Sequence, residues 1–393
     1  MAHGCSLGRE RGLRVITASL IMVLASMGGI AQGAGGGASA PATPKLKDVI
    51  CTAGCVGLRA PTAGGTVQVS GSNLVAVSKM SFPATGGGRT LTDVTSVTET
   101  SASAKVPADA ADGQVRVRDD FGHVSNFSPT SLDIRPQSEL GSSGALTLLA
   151  AEVSPHKAFF YGVRAPSLTY VIGSSQQLND LRVDVVDADG VIVRSFFPKD
   201  VPANSTQTQH WGGKTSAGKA APTGSYSFRV SSAAGARASQ ASARRMAMSF
   251  QLYGFILPVR GPHDYGSAGA RFGAPRSGHT HQGQDVLADC GTPLVAARGG
   301  RVQYAGYEGS AGNYIVIDGK ATGRDFVYMH LRSPALFKEG QTVHTGQRIG
   351  DVGETGDATG CHLHFEMWSP PGWYEGGAPF DPLPYLKKWD SYS

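Results

Sequence analysis

Glycine and proline occur 53 and 22 times in 393 residues, and at about one residue in five they leave little room for long helices. What lies between them alternates. Segments such as "TVQVSGSNL", "VSKMSFP", "SASAKVP" and "GQVRVRD" set apolar and polar side chains on opposite sides, the period of a half-buried strand. A mainly β chain is expected. The hydrophobic share of 40% suffices for real cores and excludes a disordered protein. The length exceeds one ordinary domain, and two or three are expected. The formal charge of +5 is mild: it agrees with an anionic surface nearby, and no nucleic acid is expected as a partner.

The N-terminus has its own pattern. Arg9, Arg11 and Arg14 precede the apolar run "VITASLIMVLASMGGIA", which ends in the small residues of Ala31-Gln32-Gly33-Ala34. That order predicts a secretory signal peptide over residues 1–33, cleaved just after Gly33. A retained anchor is the alternative, since the run is long for a signal and borderline for a span. No membrane span is expected after cleavage, and the localisation is secreted or cell-wall associated. Cys5 leaves with the signal, so Cys51, Cys55, Cys290 and Cys361 remain. In an exported chain they suggest disulfides, with three pairings open. Sequence separation favours Cys51 with Cys55 and Cys290 with Cys361.

Residues 34–45, "AGGGASAPATPK", read as a linker. Short, evenly spaced strand patterns over 46–135 predict a small β-sandwich. A polar joint near 135–144 leads to a second one over 145–248, where "LRVDVVDADGVIVRSF" reads as a hairpin around Asp189-Gly190. The first run, "GGTVQVSGSNLVAVSKMSFP", resembles IPT/TIG-type immunoglobulin-like domains. "HWGGKTSAGKAAPTGSYSFRV" is similar to the flagellar-hook-cap type. Neither sandwich gathers a nucleophile, base or metal ligands. Spacing or docking is expected of them, on the cell wall or a protein partner.

The remaining stretch, 250–388, differs in character. Seven of the eleven histidines lie beyond residue 250. "HTHQGQD" gives His281 and Asp285, "FVYMHL" gives His330, and "GCHLHFE" gives His362 and His364. Spacings of four and two are even, so each pair projects from one side of an extended chain. In "TGCHLHFEMW", residues 359–368, Leu363, Phe365 and Met367 share one face, and His362, His364 and Glu366 share the other. Two histidines and a carboxylate make a familiar ligand set for catalytic zinc, with a fourth position left for water. Each piece alone reads as solvated polar residues or an exposed strand face. His263, His279 and His344 keep that reading.

Taken together, "HQGQDVLADCGTPLVAARGGRVQYAG", "GNYIVIDG", "FVYMHL" and "GQTVHTGQRIGDVGETGDATGCHLHFE" resemble the lysostaphin/LytM-type zinc endopeptidases that cut peptidoglycan peptides. The likeness covers about 270–370. It implies a compact, mostly antiparallel β domain with a cleft, binding one zinc ion through His281, Asp285 and His364. It implies His330 and His362 as the catalytic pair, one moving the proton and the other stabilising the oxyanion, without saying which. The upstream tyrosine of some members has no secure match; Tyr265 is a candidate only. Cys361 stands where the family often has proline. If Asp285 and His364 meet one metal, Cys290 and Cys361 beside them fall within bonding reach. The function expected is a secreted endopeptidase of peptidoglycan stem peptides or cross-links. The competing readings are a non-catalytic regulator that binds an amidase or the wall, and a wall-adhesion protein.

Overall fold

Alternation translates directly into packing. The computed structural model describes residues 42–140, 146–174, 178, 181–232, 239–240 and 248–393. The expected signal peptide and residues 34–41 of the expected linker lie outside them. Lys45, the last residue of that linker, already opens a strand, Lys45–Gly57. It is followed by Ala60–Ser72, Val77–Pro83, Arg89–Val97, Ser101–Lys105 and Arg116–Asp119. All six join in one antiparallel path in the order first, second, fifth, fourth, third, sixth. Val67 and Val69 from one end and Met80, Phe82, Val115 and Val117 from the other meet in a single buried cluster. The fourth strand has an irregularity between Val94 and Ser96, the kind of bulge that bends a strand. The sheet thereby folds over its own core and is sandwich-like.

The second unit is built from two sheets. One runs Ile192–Phe196, Leu181–Asp187, Gly224–Ser232, Ser249–Tyr253, Lys157–Phe159, and the other Thr206–His210, Ser167–Gly173, Thr147–Ser154, Ser239–Gln240. Tyr170, Trp211, Phe228 and Phe250 fill the space between them. The hairpin expected around Asp189-Gly190 is present, with Val186 opposite Ile192 and Gly190 at φ 80°. The boundary expected between 248 and 250 is displaced. Ser249–Tyr253 bonds to Gly224–Ser232 on one side and to Lys157–Phe159 on the other, and Phe250 and Leu252 lie in this core. The strand therefore belongs to the second unit.

The C-terminal unit is a seven-stranded antiparallel sheet. Its path runs Gln284–Leu287, His362–Trp368, Asp325–Leu331, Gly312–Gly319, Gly300–Glu308, Thr342–Val343, and Pro379–Phe380 pairs with His362–Trp368. One face turns Leu363, Phe365, Met367, Phe326, Tyr328, Ile315 and Ile317 into the core. The helix Leu383–Asp390 covers that face with Leu386 and Trp389; proline in its first turn costs no hydrogen bond there. Burying each such large apolar side chain stabilises by about 1.5–3 kcal/mol. Contacts run past the expected end at 388: Ser393 Oγ accepts the Leu257 N–H at 2.9 Å. The opposite face of the sheet holds the histidines. No helix among the described residues is long and apolar enough to cross a membrane.

Both expected disulfides are formed, Cys51–Cys55 and Cys290–Cys361, with Cα–Cα distances of 5.8 and 5.2 Å. The second closes a loop of sequence separation 71, worth about 4 kcal/mol in the chain-entropy account. Replacing both Cys290 and Cys361 by serine is expected to lower unfolding stability by about 2–4 kcal/mol. Denaturant titration of the two proteins checks this, and coincident midpoints would refute it.

Candidate functional site

The register of two strands builds the centre. Asp285 lies directly opposite His364, and Leu287 opposite His362. Close approach of the chain just before Asp285 depends on Gly283: a Cβ there would sit 2.7 Å from His364 Nε2 and 2.6 Å from Phe365 O. No larger residue fits. His281 precedes this strand and arrives from a small hairpin, Pro275–Arg276 against His279–Thr280, with its N–H bonded to Ala274 O.

His281 Nε2, Asp285 Oδ1 and His364 Nδ1 form a triangle with edges of 2.9–3.0 Å. The outer nitrogens are already committed. His281 Nδ1 donates to Arg271 O at 2.8 Å, and His364 Nε2 donates to Glu366 Oε1 at 2.9 Å. Neutral imidazoles held this way both aim lone pairs at the carboxylate oxygen. Three acceptors in mutual contact repel unless a cation or a shared proton sits among them. Two imidazole nitrogens and a carboxylate oxygen, each backed by a hydrogen bond from behind, are a donor set that fits zinc with one position left open.

The charges of the triangle follow from the same contacts. Burial works against the charge on Asp285, but its contacts with His281 and His364 outweigh that and hold the carboxyl well below the usual range. Burial likewise opposes charge on His364, yet hydrogen bonds to Asp285 and Glu366 raise it to about 9. Arg276 Nη2 lies 3.4 Å from Asp285 Oδ2, the oxygen turned away from the histidines.

His330 and His362 flank this triangle, their ring centroids 4.6 Å apart. His330 is aimed by a bulge. Asn313 pairs with Leu331 and Ile315 with Tyr328, so Met329 and His330 together face one residue, and His330 takes φ 62°. Bulges of this kind redirect a side chain, and a left-handed histidine is a strained choice. Its Nδ1 donates to Thr355 O at 2.8 Å, which leaves Nε2 free. Burial drives its pKa down to about 4, against the help of the Thr355 carbonyl. His362 Nδ1 donates to Gly360 O at 2.8 Å, and its Nε2 lies 3.7 Å from Asp285 Oδ1. Gly360 adjoins Cys361, so the disulfide fastens the loop that orients His362.

All five residues singled out in the sequence thus converge. Glu366 and Thr355 were not singled out as functional. Glu366 had a signal, its place two residues beyond His364 on the same face; Thr355 had none. Glu366 is 3% exposed, and its second oxygen accepts from Trp368 Nε1 at 2.7 Å. Glu366→Gln is expected to weaken zinc binding about 10–100-fold with the fold kept. Competition against a chelator measures this, and unchanged affinity would remove Glu366 from the site. Tyr265 points elsewhere, its hydroxyl bonded to Asp390 at 3.2 Å. His279 is exposed and bonds Ser277 O, His263 approaches Asp390, and His344 packs on Tyr161. A second grouping of Cys290, Glu354 and Cys361 holds no free thiolate, because its cysteines are joined.

Residues 279–382 match Peptidase family M23. The C-terminal unit is an M23-family zinc endopeptidase domain. The chain is 38% identical over 118 residues to the peptidoglycan DD-endopeptidase ShyC of Vibrio cholerae, covering 28% of this chain and 26% of that protein. It is 43% identical over 89 residues to ShyA, a peptidoglycan DD-endopeptidase of the same organism, covering 22% and 20%. The chain thus spans about a quarter or less of the curated relatives it matches. Among solved structures, the catalytic domain of lysostaphin from Staphylococcus simulans is similar at 32% identity, over 32% of this chain and 92% of that one, with a TM-score of 0.28. The β-rich units ahead of the M23 domain lie outside the family match.

Proposed function

We propose that this chain is a secreted or wall-associated zinc metalloendopeptidase that hydrolyses peptide bonds in peptidoglycan stem peptides or cross-links. The observation that carries the reading is the closed triangle of His281, Asp285 and His364 with two further histidines beside it. The names of the relatives ShyC and ShyA support the substrate.

In this reading His281, Asp285 and His364 would hold zinc, which would supply a Lewis acid for the scissile carbonyl and lower the pKa of a water from about 15.7 towards about 7. Glu366 and the Arg271 carbonyl keep the two ligand imidazoles in the tautomers that face the metal. His330 stays neutral because it is buried, and its Thr355 bond leaves Nε2 as an acceptor. It takes the proton of the attacking water and returns it to the leaving amine. His362, fixed by Gly360, steadies the oxyanion.

The test is metal content together with hydrolysis of purified sacculi. About one zinc per chain and release of soluble peptide-bearing fragments are expected. Zinc without hydrolysis would favour a non-catalytic wall binder, and active protein without a divalent metal would refute the mechanism.

A further inference from the structure

The first unit carries a cluster that the peptidase reading does not use. Strand alternation turns Met80, Phe82, Val115 and Val117 inward and so sends Lys79, Ser81, Arg116 and Arg118 to the outer face. Arg116 lies opposite Ser81 and Arg118 opposite Lys79, while Leu91 and Asp93 flank the same two residues from the other side. Arg89 reaches in from the neighbouring strand, its Nε donating to Ser81 Oγ at 2.7 Å. Arg89, Arg116 and Arg118 together line a cavity of about 200 Å3, with Leu91 and Val124 at its sides.

Three guanidiniums around one small cavity should repel unless anions answer them. Among the described residues no carboxylate forms an ion pair with any of the three. Asp93, on the same face, is engaged by Lys79 at 2.6 Å. The like charges are also held in place. Arg89 and Arg116 both lie 5.1 Å from the centroid of the Phe127 ring, which is 45% exposed. Burial, and then the charge of Arg116, push the Arg89 guanidinium below its ordinary value. Arg89 Nη2 also donates to Ser81 O and Gln114 O at 2.7 and 2.9 Å, so Arg116 and Arg118 carry most of the N–H groups left for a ligand. Positive charge that no carboxylate answers is what a bound anion stabilises.

We propose that Arg89, Arg116 and Arg118 form an anion site that takes a single phosphate or carboxylate group of a ligand whose body stays outside the cavity. The size sets the first limit. The cavity lies below the range of about 300–1,000 Å3 that encloses a whole small ligand, so it fits one functional group. The surroundings set the second. Leu91 and Val124 are 52% and 38% exposed, so the site is open to solvent and the body of the ligand stays outside. Guanidinium forks recognise both carboxylate and phosphate through paired N–H bonds, and the two sources are separated by experiment.

The full chain is titrated into fluorescein-labelled polyphosphate and, separately, labelled poly-L-glutamate, with anisotropy read at low and moderate salt. Binding that weakens with salt is expected, and the polymer preferred identifies the group. R116Q/R118Q should weaken binding about tenfold or more, with melting temperature and peptide cleavage unchanged. K105Q/K219Q removes the same charge elsewhere and should keep the affinity. If R116Q/R118Q unfolds, R118Q alone, on an exposed residue, is read the same way. Failure of the parent chain to bind either polymer, undiminished affinity in R116Q/R118Q, or an equal loss in K105Q/K219Q overturns the proposal.

Discussion

His364→Ala is expected to abolish hydrolysis and strip the metal. His364 contributes one corner of a triangle whose edges are about 3 Å, and the nearest other imidazole, His362, lies outside it with Nε2 3.7 Å from Asp285 Oδ1. The Lewis acid is worth several kcal/mol, so its loss costs about a thousandfold or more in rate. The substitution also leaves the buried Glu366 without its imidazole partner, which destabilises the sheet. His364→Gln, with the melting temperature, separates ligand loss from unfolding, and a chelator applied to the unaltered protein gives the same inactivation without any mutation. Acid should act in the same direction. In the metal-free chain His364 is raised to about 9, so at neutral pH it carries a proton that zinc must displace. Below that value each unit of acidification is expected to weaken zinc binding about tenfold. Zinc titrations at two pH values below neutrality check this. Equal affinities at both, or an active protein lacking the metal after His364→Gln, would break the assignment.

Much of this centre was legible because strand periodicity is local. Even spacing placed His362, His364 and Glu366 on one face, and the structure keeps them there. The pairing of Asp285 with His364 was not visible, because register between strands 79 residues apart is decided by the whole sheet. Nor was the bulge at His330: nothing in "FVYMHL" announces a left-handed histidine, which the neighbouring strand and Thr355 impose. The misplaced boundary near 249 has the same origin. Ser249–Tyr253 finds its partner at Lys157–Phe159, far upstream, and composition carries no trace of such a pairing. His281 shows a milder version. Its spacing of four from Asp285 suggested one continuous strand, whereas a hairpin delivers it. The right residues meet by a different route.

His330→Asn and His362→Asn should keep zinc and lose turnover. Neither imidazole belongs to the triangle. Each is tied by Nδ1 to a backbone carbonyl and offers Nε2 to the space beside it. Positioned acid–base groups contribute about 10²- to 10⁴-fold, so kcat on sacculi should fall by that much while about one zinc per chain remains. Asparagine is chosen at 330 because the backbone there has φ 62°, a conformation that asparagine tolerates and alanine resists. A drop seen only in His330→Ala would then report strain, not chemistry. If all these histidines were ordinary polar residues of a strand face, every variant would turn over nearly normally. If the roles within the strand were exchanged, zinc would leave His362→Asn and stay in His364→Gln. Metal content and sacculus hydrolysis, measured on the same purified variants, decide among the three, and zinc lost from His362→Asn but retained in His364→Gln would reverse the assignment of ligand and catalyst.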